Sequence, residues 1–257
     1  MTEYKKPIYH LQYRAGDKSL YHLIVLNLGG LYLLPESYIY MENKDGPTSK
    51  CIDEAFFILR DKFTLIKTLP EGSDPIPIFG ETCEKDGVSD NPHVIFPFLR
   101  ELFLTRVAPD TVERPKRFFI GRKDSFKSRN THSNTMNRCI LNEDHFIKRL
   151  KDYNIETIYL EDYTLDNKIR LFNAAELILS TNSSALTCAL WCNKNATIIE
   201  LGNISPHTVI GTHYQVLCNV LGIKYFRYKY IVCDDNDNFV INDDDDIYEY
   251  LTILEGT

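Results

Sequence analysis

Four stretches of this 257-residue chain carry side chains whose type and spacing could do chemistry. Ser180-Thr181-Asn182-Ser183-Ser184 sets hydroxyl and amide groups where an apolar run, Leu177-Ile178-Leu179, passes into a helical one. Free backbone N–H groups at such a helix start, with the helix dipole, favour a phosphate. An ordinary N-cap uses the same residue types. Arg122, Lys123, Lys127, Arg129 and Arg138 form a basic loop. Side chains of this kind can compensate a diphosphate leaving group. Arg122 and Arg138 bracket the loop, whereas Lys127 and Arg129 read as solvated. Glu200 closes the run Thr197-Ile198-Ile199. A carboxylate at the carboxyl end of a parallel strand can accept both hydroxyls of a ribose, or simply face solvent. His22 sits in Leu20-Tyr21-His22-Leu23, five residues after Asp17. A near-neutral histidine can deprotonate a hydroxyl. The same histidine on an apolar helix also reads as a hydrogen-bonded core residue, and Asp17 could orient it or be the base.

Other groups read more plainly. Asp234-Asp235-Asn236-Asp237 resembles the start of a calcium loop but lacks the glycine and the closing glutamate. Asp243 to Asp246 is an acidic block before a terminal helix, where it suits the dipole. The seven cysteines are scattered and form no CxxC pair, which argues against a structural zinc site and for reduced thiols. Sequons at Asn182, Asn195 and Asn203 lie in or beside a segment that reads as core. The net charge of −7 argues against a general nucleic-acid coat. Leu20 to Leu34, interrupted by His22, Asn27, Gly29 and Gly30, is too short and polar to span a bilayer, and the N-terminus does not read as an export signal.

The elements that must position these groups differ between the halves. Up to about residue 112 the chain is aromatic-rich and irregular. Ile39-Tyr40-Met41 and Val94-Ile95-Phe96 read as strands, Leu20–Leu34 and Ile52–Arg60 as helices, and 69–92 as a Pro- and Gly-rich loop. Residues 108–115 read as a linker. From Arg117 the pattern turns regular, with strands at 117–121, 157–160, 177–179 and 197–201. Helices are expected at 142–153, 165–174, 184–191 and 213–221. Such alternation predicts a parallel sheet with right-handed crossovers, whose ligands gather at the carboxyl ends of its strands.

Taken together these segments resemble the family 61 glycosyltransferases. Arg138-Cys139-Ile140-Leu141-Asn142-Glu143 is similar to the family's R-x-I-x-N-E signature, after Phe119-Ile120-Gly121-Arg122. Leu165 to Ala175 resembles its S-x-x-E-Q-I-x-L-F-x-x-A helix, with Asn167 and Lys168 in place of the acid–amide pair. Ser180 to Thr187 resembles G-x-H-G-A-x-L-T, with Asn182-Ser183-Ser184 replacing the His-Gly pair, and Ile198 to Leu201 resembles V-I-E-L. In the first half Leu20 to Leu34, Asn91-Pro92-His93 and Leu99-Arg100 resemble Y-H-W-L…L-P-x-L and H-P…L-R.

The resemblance implies a compact α/β fold of the GT-B type with two Rossmann-like lobes: 1–112 on the acceptor side, and 113–257 binding a nucleotide sugar. The implied reaction is an inverting, metal-independent transfer from a UDP-sugar, xylose or GlcNAc, to a hydroxyl of a glycan or glycoprotein. No cofactor is expected. Arg122, Lys123, Arg138, Ser183 and Ser184 are implied to hold the diphosphate, and Asn182 to replace a lost histidine. Asn142 and Glu143 would shape the pocket and Glu200 hold the ribose, with Thr212 and His213 also near the donor. His22 or Asp17 would be the base. The expected setting is cytoplasmic, in a microbe or large virus, with neither nucleic acid nor a membrane span. A nucleotide-sugar epimerase or hydrolase, or an inactive sugar-binding module, are the competing readings.

Overall fold

A computed structural model describes residues 6–12, 20, 22–32, 34–41, 47–79, 91–123, 139–204, 212–231 and 238–255. The chain builds two parallel sheets. The first contains β1 (Ile8–Gln12), β2 (Ser37–Tyr40), β3 (Phe63–Ile66) and β4 (Ile76–Phe79), in the order β3-β2-β1-β4. A π-helical turn (His22–Asn27) and α1 (Pro47–Ile58) lie between its strands in sequence. Helix α2 (Pro92–Leu104) then leads towards the second sheet.

The second sheet contains β5 (Arg117–Ile120), β6 (Glu156–Ile158), β7 (Leu177–Thr181), β8 (Thr197–Ile204) and β9 (Lys224–Ile231), in the order β6-β5-β7-β8-β9. Its connections carry α3 (Glu143–Leu150), α4 (Leu165–Ala174), a 3₁₀ segment (Ser184–Trp191) and α5 (His213–Leu221); α6 (Asp246–Glu255) closes the chain. The expected α/β architecture with parallel strands is present, and its two sheets fall on either side of residue 112.

Strand alternation divides the second sheet's side chains between two cores. Phe119, Leu177, Leu179, Ile199 and Leu201 face Phe146 and Leu150 of α3 and Ile247 and Leu251 of α6. Phe118, Ile120, Ile158, Ile178 and Ile198 face α4, the 3₁₀ segment and α5, in a core that runs on into the first sheet. The Phe103 and Trp191 rings meet edge to face at 5.7 Å across that junction. Arg100 Nη1 donates to the Leu190 carbonyl at 3.0 Å, and the Leu165 N–H donates to Glu54 Oε2 at 2.8 Å. Glu54 of α1 therefore satisfies an orphan donor at the start of α4 that its own N-cap, Thr164, leaves without a side-chain bond.

Several local expectations change. Val94-Ile95-Phe96 is helical: Ile95, Phe96, Leu99, Leu102 and Phe103 form one buried stripe of α2, and Pro92 suits the helix start. The 69–92 stretch holds β4, paired with β1 from Tyr9↔Ile76 to Gln12↔Phe79. Residues 184–191 wind as a 3₁₀ helix, Leu186 N–H bonding Ser183 O at 3.1 Å.

Candidate functional site

The strand order of the second sheet fixes where a ligand can sit. The chain leaves β5 for β6 on one side and returns through α4 to β7 on the other, so β5 and β7 flank a topological switch point. Open parallel sheets bind ligands outside the carboxyl ends of the strands at such a point. Here β5 ends in Gly121-Arg122 and β7 in Thr181-Asn182. A narrow cleft of about 10 Å³ opens there, lined by Ile120, Arg122, Ile140, Glu143 and Thr181 among others.

A side chain at Gly121 would be crowded at this crossing. A Cβ there would lie 3.0 Å from Tyr159 Cε1, 3.2 Å from Thr157 Cγ2 and 3.3 Å from Glu143 Oε1. The next residue, Arg122, is half-buried. Its backbone N–H donates to Glu143 Oε1 at 3.5 Å, and its Nη2 donates to the Asn182 carbonyl at 3.4 Å. Glu143 is buried in the first turn of α3, where a carboxylate suits the helix dipole.

Asn182 leads inward from this edge. Its Nδ2 donates to Glu200 Oε1 at 3.0 Å. Glu200 is fully buried (0% exposed) and opposite Arg227 in the β8–β9 register. Arg227 Nε lies 2.8 Å from Glu200 Oε1 and its Nη2 3.3 Å from Oε2, while the Tyr225 hydroxyl donates to Oε2. Oε2 thus accepts from the Tyr225 hydroxyl and Arg227 Nη2 and Oε1 from Asn182, with the Arg227 guanidinium as counter-charge. Burial and the Glu200 charge push the Tyr225 hydroxyl far above the usual tyrosine range, so it stays a donor. Burial opposes the Arg227 charge, but Glu200 and Tyr225 outweigh it and the net shift is upward.

The other expected residues distribute differently. Ser183 is extended at the head of the 3₁₀ segment, and its Oγ lies 3.4 Å from Ser180 Oγ; Ser184 begins that segment. Lys123 turns to the surface and pairs with Asp162, whose carboxylate raises its pKa. Asn142 bonds the Ile241 backbone in both directions, Nδ2 to O at 2.7 Å and N to Oδ1 at 3.1 Å. It fastens the segment before α6 to the start of α3. Thr212 is exposed at the head of α5, and the His213 ring lies 4.0 Å from that of Tyr214. Arg122, Glu143, Asn182 and Glu200 are therefore joined by direct contacts, while Asn142, Lys123, Thr212 and His213 engage other neighbours. Asp17, Lys127, Arg129 and Arg138, like Asp234 to Asp237, lie outside the described residues; so does the side chain of His22, whose backbone belongs to the π-helical turn. Among the described residues no three His, Cys, Asp or Glu side chains converge to hold a metal ion, and no helix is long and apolar enough to cross a membrane.

Sequence reasoning missed Arg227 and Tyr225. Their signal is weak: two polar groups alternating with Phe226 and Tyr228 in a strand whose register opposite Glu200 is known only from the sheet.

This arrangement defines a doubly covered parallel α/β unit with a polar switch point, and residues 80–199 match the family model described as Glycosyltransferase 61. The matched stretch takes in Arg122, Glu143, Asn182 and the 3₁₀ segment and ends one residue before Glu200. Among curated proteins the chain is similar to protein O-linked-mannose beta-1,4-N-acetylglucosaminyltransferase 2 of Mus musculus, 34% identical over 85 residues. The Homo sapiens and Canis lupus familiaris proteins of that name are each 33% identical over 85 residues. The aligned stretch covers 32% of this chain and 14% of each relative.

Proposed function

We propose that this protein is an inverting glycosyltransferase that binds a UDP-sugar across the carboxyl ends of β5 and β7 and passes the sugar to a hydroxyl of a glycan or glycoprotein. The observation that carries the reading is the coincidence of the family 61 match with the switch point: Arg122, Glu143 and Asn182 all fall within 80–199 and meet at one strand edge. The names of the relatives favour N-acetylglucosamine over xylose as the transferred sugar.

In this reading the two sheets belong to two lobes of a GT-B arrangement, the first facing the acceptor. Arg122, with Arg138 and the backbone at Ser183 and Ser184, compensates the diphosphate charge that grows as the bond to the sugar breaks. His22 or Asp17 takes the proton from the acceptor hydroxyl. That oxygen forms the new bond at the anomeric carbon, in line with the departing UDP, so the configuration inverts. A cation is not required where Arg side chains and N–H groups hold the leaving charge.

Product analysis tests this. The protein is incubated with UDP-N-acetylglucosamine or UDP-xylose, with and without an O-mannosylated peptide and with and without EDTA. Sugar transfer that survives EDTA is expected. Conversion of the UDP-sugar without acceptor would make the protein an epimerase or hydrolase, and binding without turnover would make it a sugar-binding module.

A further inference from the structure

We infer that Arg227 and Tyr225 are positioning residues for the turn after β7, acting through Glu200 and Asn182. The inference rests on the donor reading for its consequence and on geometry for its mechanism. Ser180, Glu200 and Arg227 form one row across β7, β8 and β9. Tyr225, two residues earlier on β9, shares the face of Arg227. The two side chains grip Glu200 from β9, and Glu200 in turn accepts from Asn182 Nδ2. The Asn182 carbonyl receives Arg122 Nη2 from the opposite side. The turn that enters the 3₁₀ segment is thus pinned between β5 and the buried carboxylate.

Physical economy points the same way. A buried ion pair adds little net stability, because its desolvation offsets its attraction, and apolar groups of like volume often serve as well. What apolar groups cannot do is present an acceptor to an amide. Glu200 offers one, and Arg227 and Tyr225 hold its carboxylate in place from β9. Glu200 therefore serves the donor by holding Asn182 and not by offering an oxygen to the ribose. β9 contributes to the site although it lies outside the 80–199 match and carries none of its motif residues.

The test uses the whole chain and the double variant Glu200→Leu/Arg227→Met, which removes both charges together and leaves neither buried alone. Amide hydrogen exchange reads the turn directly, and calorimetry with UDP reads its consequence. Residues 181–186 should exchange about tenfold faster than in the parent, with the β5 and β7 interiors still protected, and UDP affinity should fall about tenfold, the scale of one charge-assisted hydrogen bond. Tyr225→Phe should give a smaller change of the same kind, and Arg227→Lys should restore part of the affinity that Arg227→Met loses. Unchanged exchange at 181–186 in a folded double variant overturns the positioning role, whatever UDP does. Faster exchange with unchanged UDP affinity overturns the link from this turn to the donor. A parent chain that does not bind UDP counts against the donor reading alone, because the exchange measurement still decides the positioning.

Discussion

The two ends of the five-stranded sheet handle charge in opposite ways. At the amino ends of β5, β6 and β7 a cavity of about 660 Å³ opens, lined by Val107, Asp110, Arg114, Lys116, Arg117 and Arg170 among others. Many of its charges are paired in partly exposed contacts, some with near neighbours in sequence and some across about sixty residues. Arg114 donates to both oxygens of Asp110, four residues away, and to the Val112 carbonyl at 2.9 Å. Arg170 binds Asp166, Asp110 and the Ala108 carbonyl, and Lys116 binds Glu176 at 3.0 Å. These contacts fold the linker onto α4. At the carboxyl ends the cleft is almost closed, yet the polar network that starts at its Arg122 and Glu143 runs on through residues 182, 200 and 227 and includes a carboxylate with no exposure. A carboxylate with no exposure, gripped from the neighbouring strand, fixes geometry there, whereas partly exposed pairs contribute little net stability.

The sharpest way to break that contrast is to delete one carboxylate at each end. Glu200→Ala leaves the half-buried Arg227 without its counter-charge and should cost about 3 kcal/mol of unfolding free energy, measured in urea. Asp110→Ala, in a partly exposed cluster, should lower the midpoint clearly less. Equal damage from both would mean that the amino-end cluster is also a specifying element.

Ligand binding separates the ends next. Arg122→Ala should weaken UDP binding by about 2 kcal/mol in calorimetry, the scale of a charge-assisted contact. Arg114→Ala, beside the larger cavity, should leave the affinity as it was. The reverse result would move the nucleotide to the amino ends. A smaller effect is expected at Gly121, where an added methyl crowds Tyr159, Thr157 and Glu143. Gly121→Ala should cost about 1 kcal/mol of stability, as overpacking does. It should weaken UDP binding too, because Glu143 holds the Arg122 N–H.

How much of this was legible depends on local pattern. α4 and α5 appear at the expected limits, Leu165–Ala174 and His213–Leu221, because each shows a helical apolar stripe bounded by a polar start. β5, β7 and β8 were legible as apolar runs because both faces of a parallel strand are covered. β1, β3 and β4 are short, and their partners are far off in sequence, so no local rule signals them. In the site, Arg122, Asn182 and Glu200 were legible as types at strand ends. What each touches was not, since Glu200 meets Arg227 and Tyr225 only through β8–β9 pairing. Asn142 had the right address and a different partner, the backbone of Ile241.

The smallest effect, and the one that tests both ends at once, is the pH dependence of stability. At the amino ends the Asp110 carboxyl is held below its usual range, first by its hydrogen bonds with Arg114. Asp166 is held low by Thr164 and Arg170 against the opposing effect of burial. A depressed carboxyl pKa contributes stability that is present above the unfolded value, near 4, and is lost as pH falls through the folded one. Elsewhere burial pushes Cys188 up to about 12 and Cys51 to about 11, and raises Tyr225 further. A raised pKa contributes stability that is complete below the unfolded value and is lost as pH rises past it, from about 8.5 for the thiols and about 10 for the tyrosine. The urea midpoint should therefore fall on both limbs, with Asp110 and Asp166 contributing to the acid one and Tyr225 to the alkaline one. Asp110→Asn should flatten the acid limb and leave the alkaline limb intact, and Tyr225→Phe should do the opposite. A single variant that flattens both limbs would show that the two ends are coupled through the strands between them, and the division drawn from their geometry would fail.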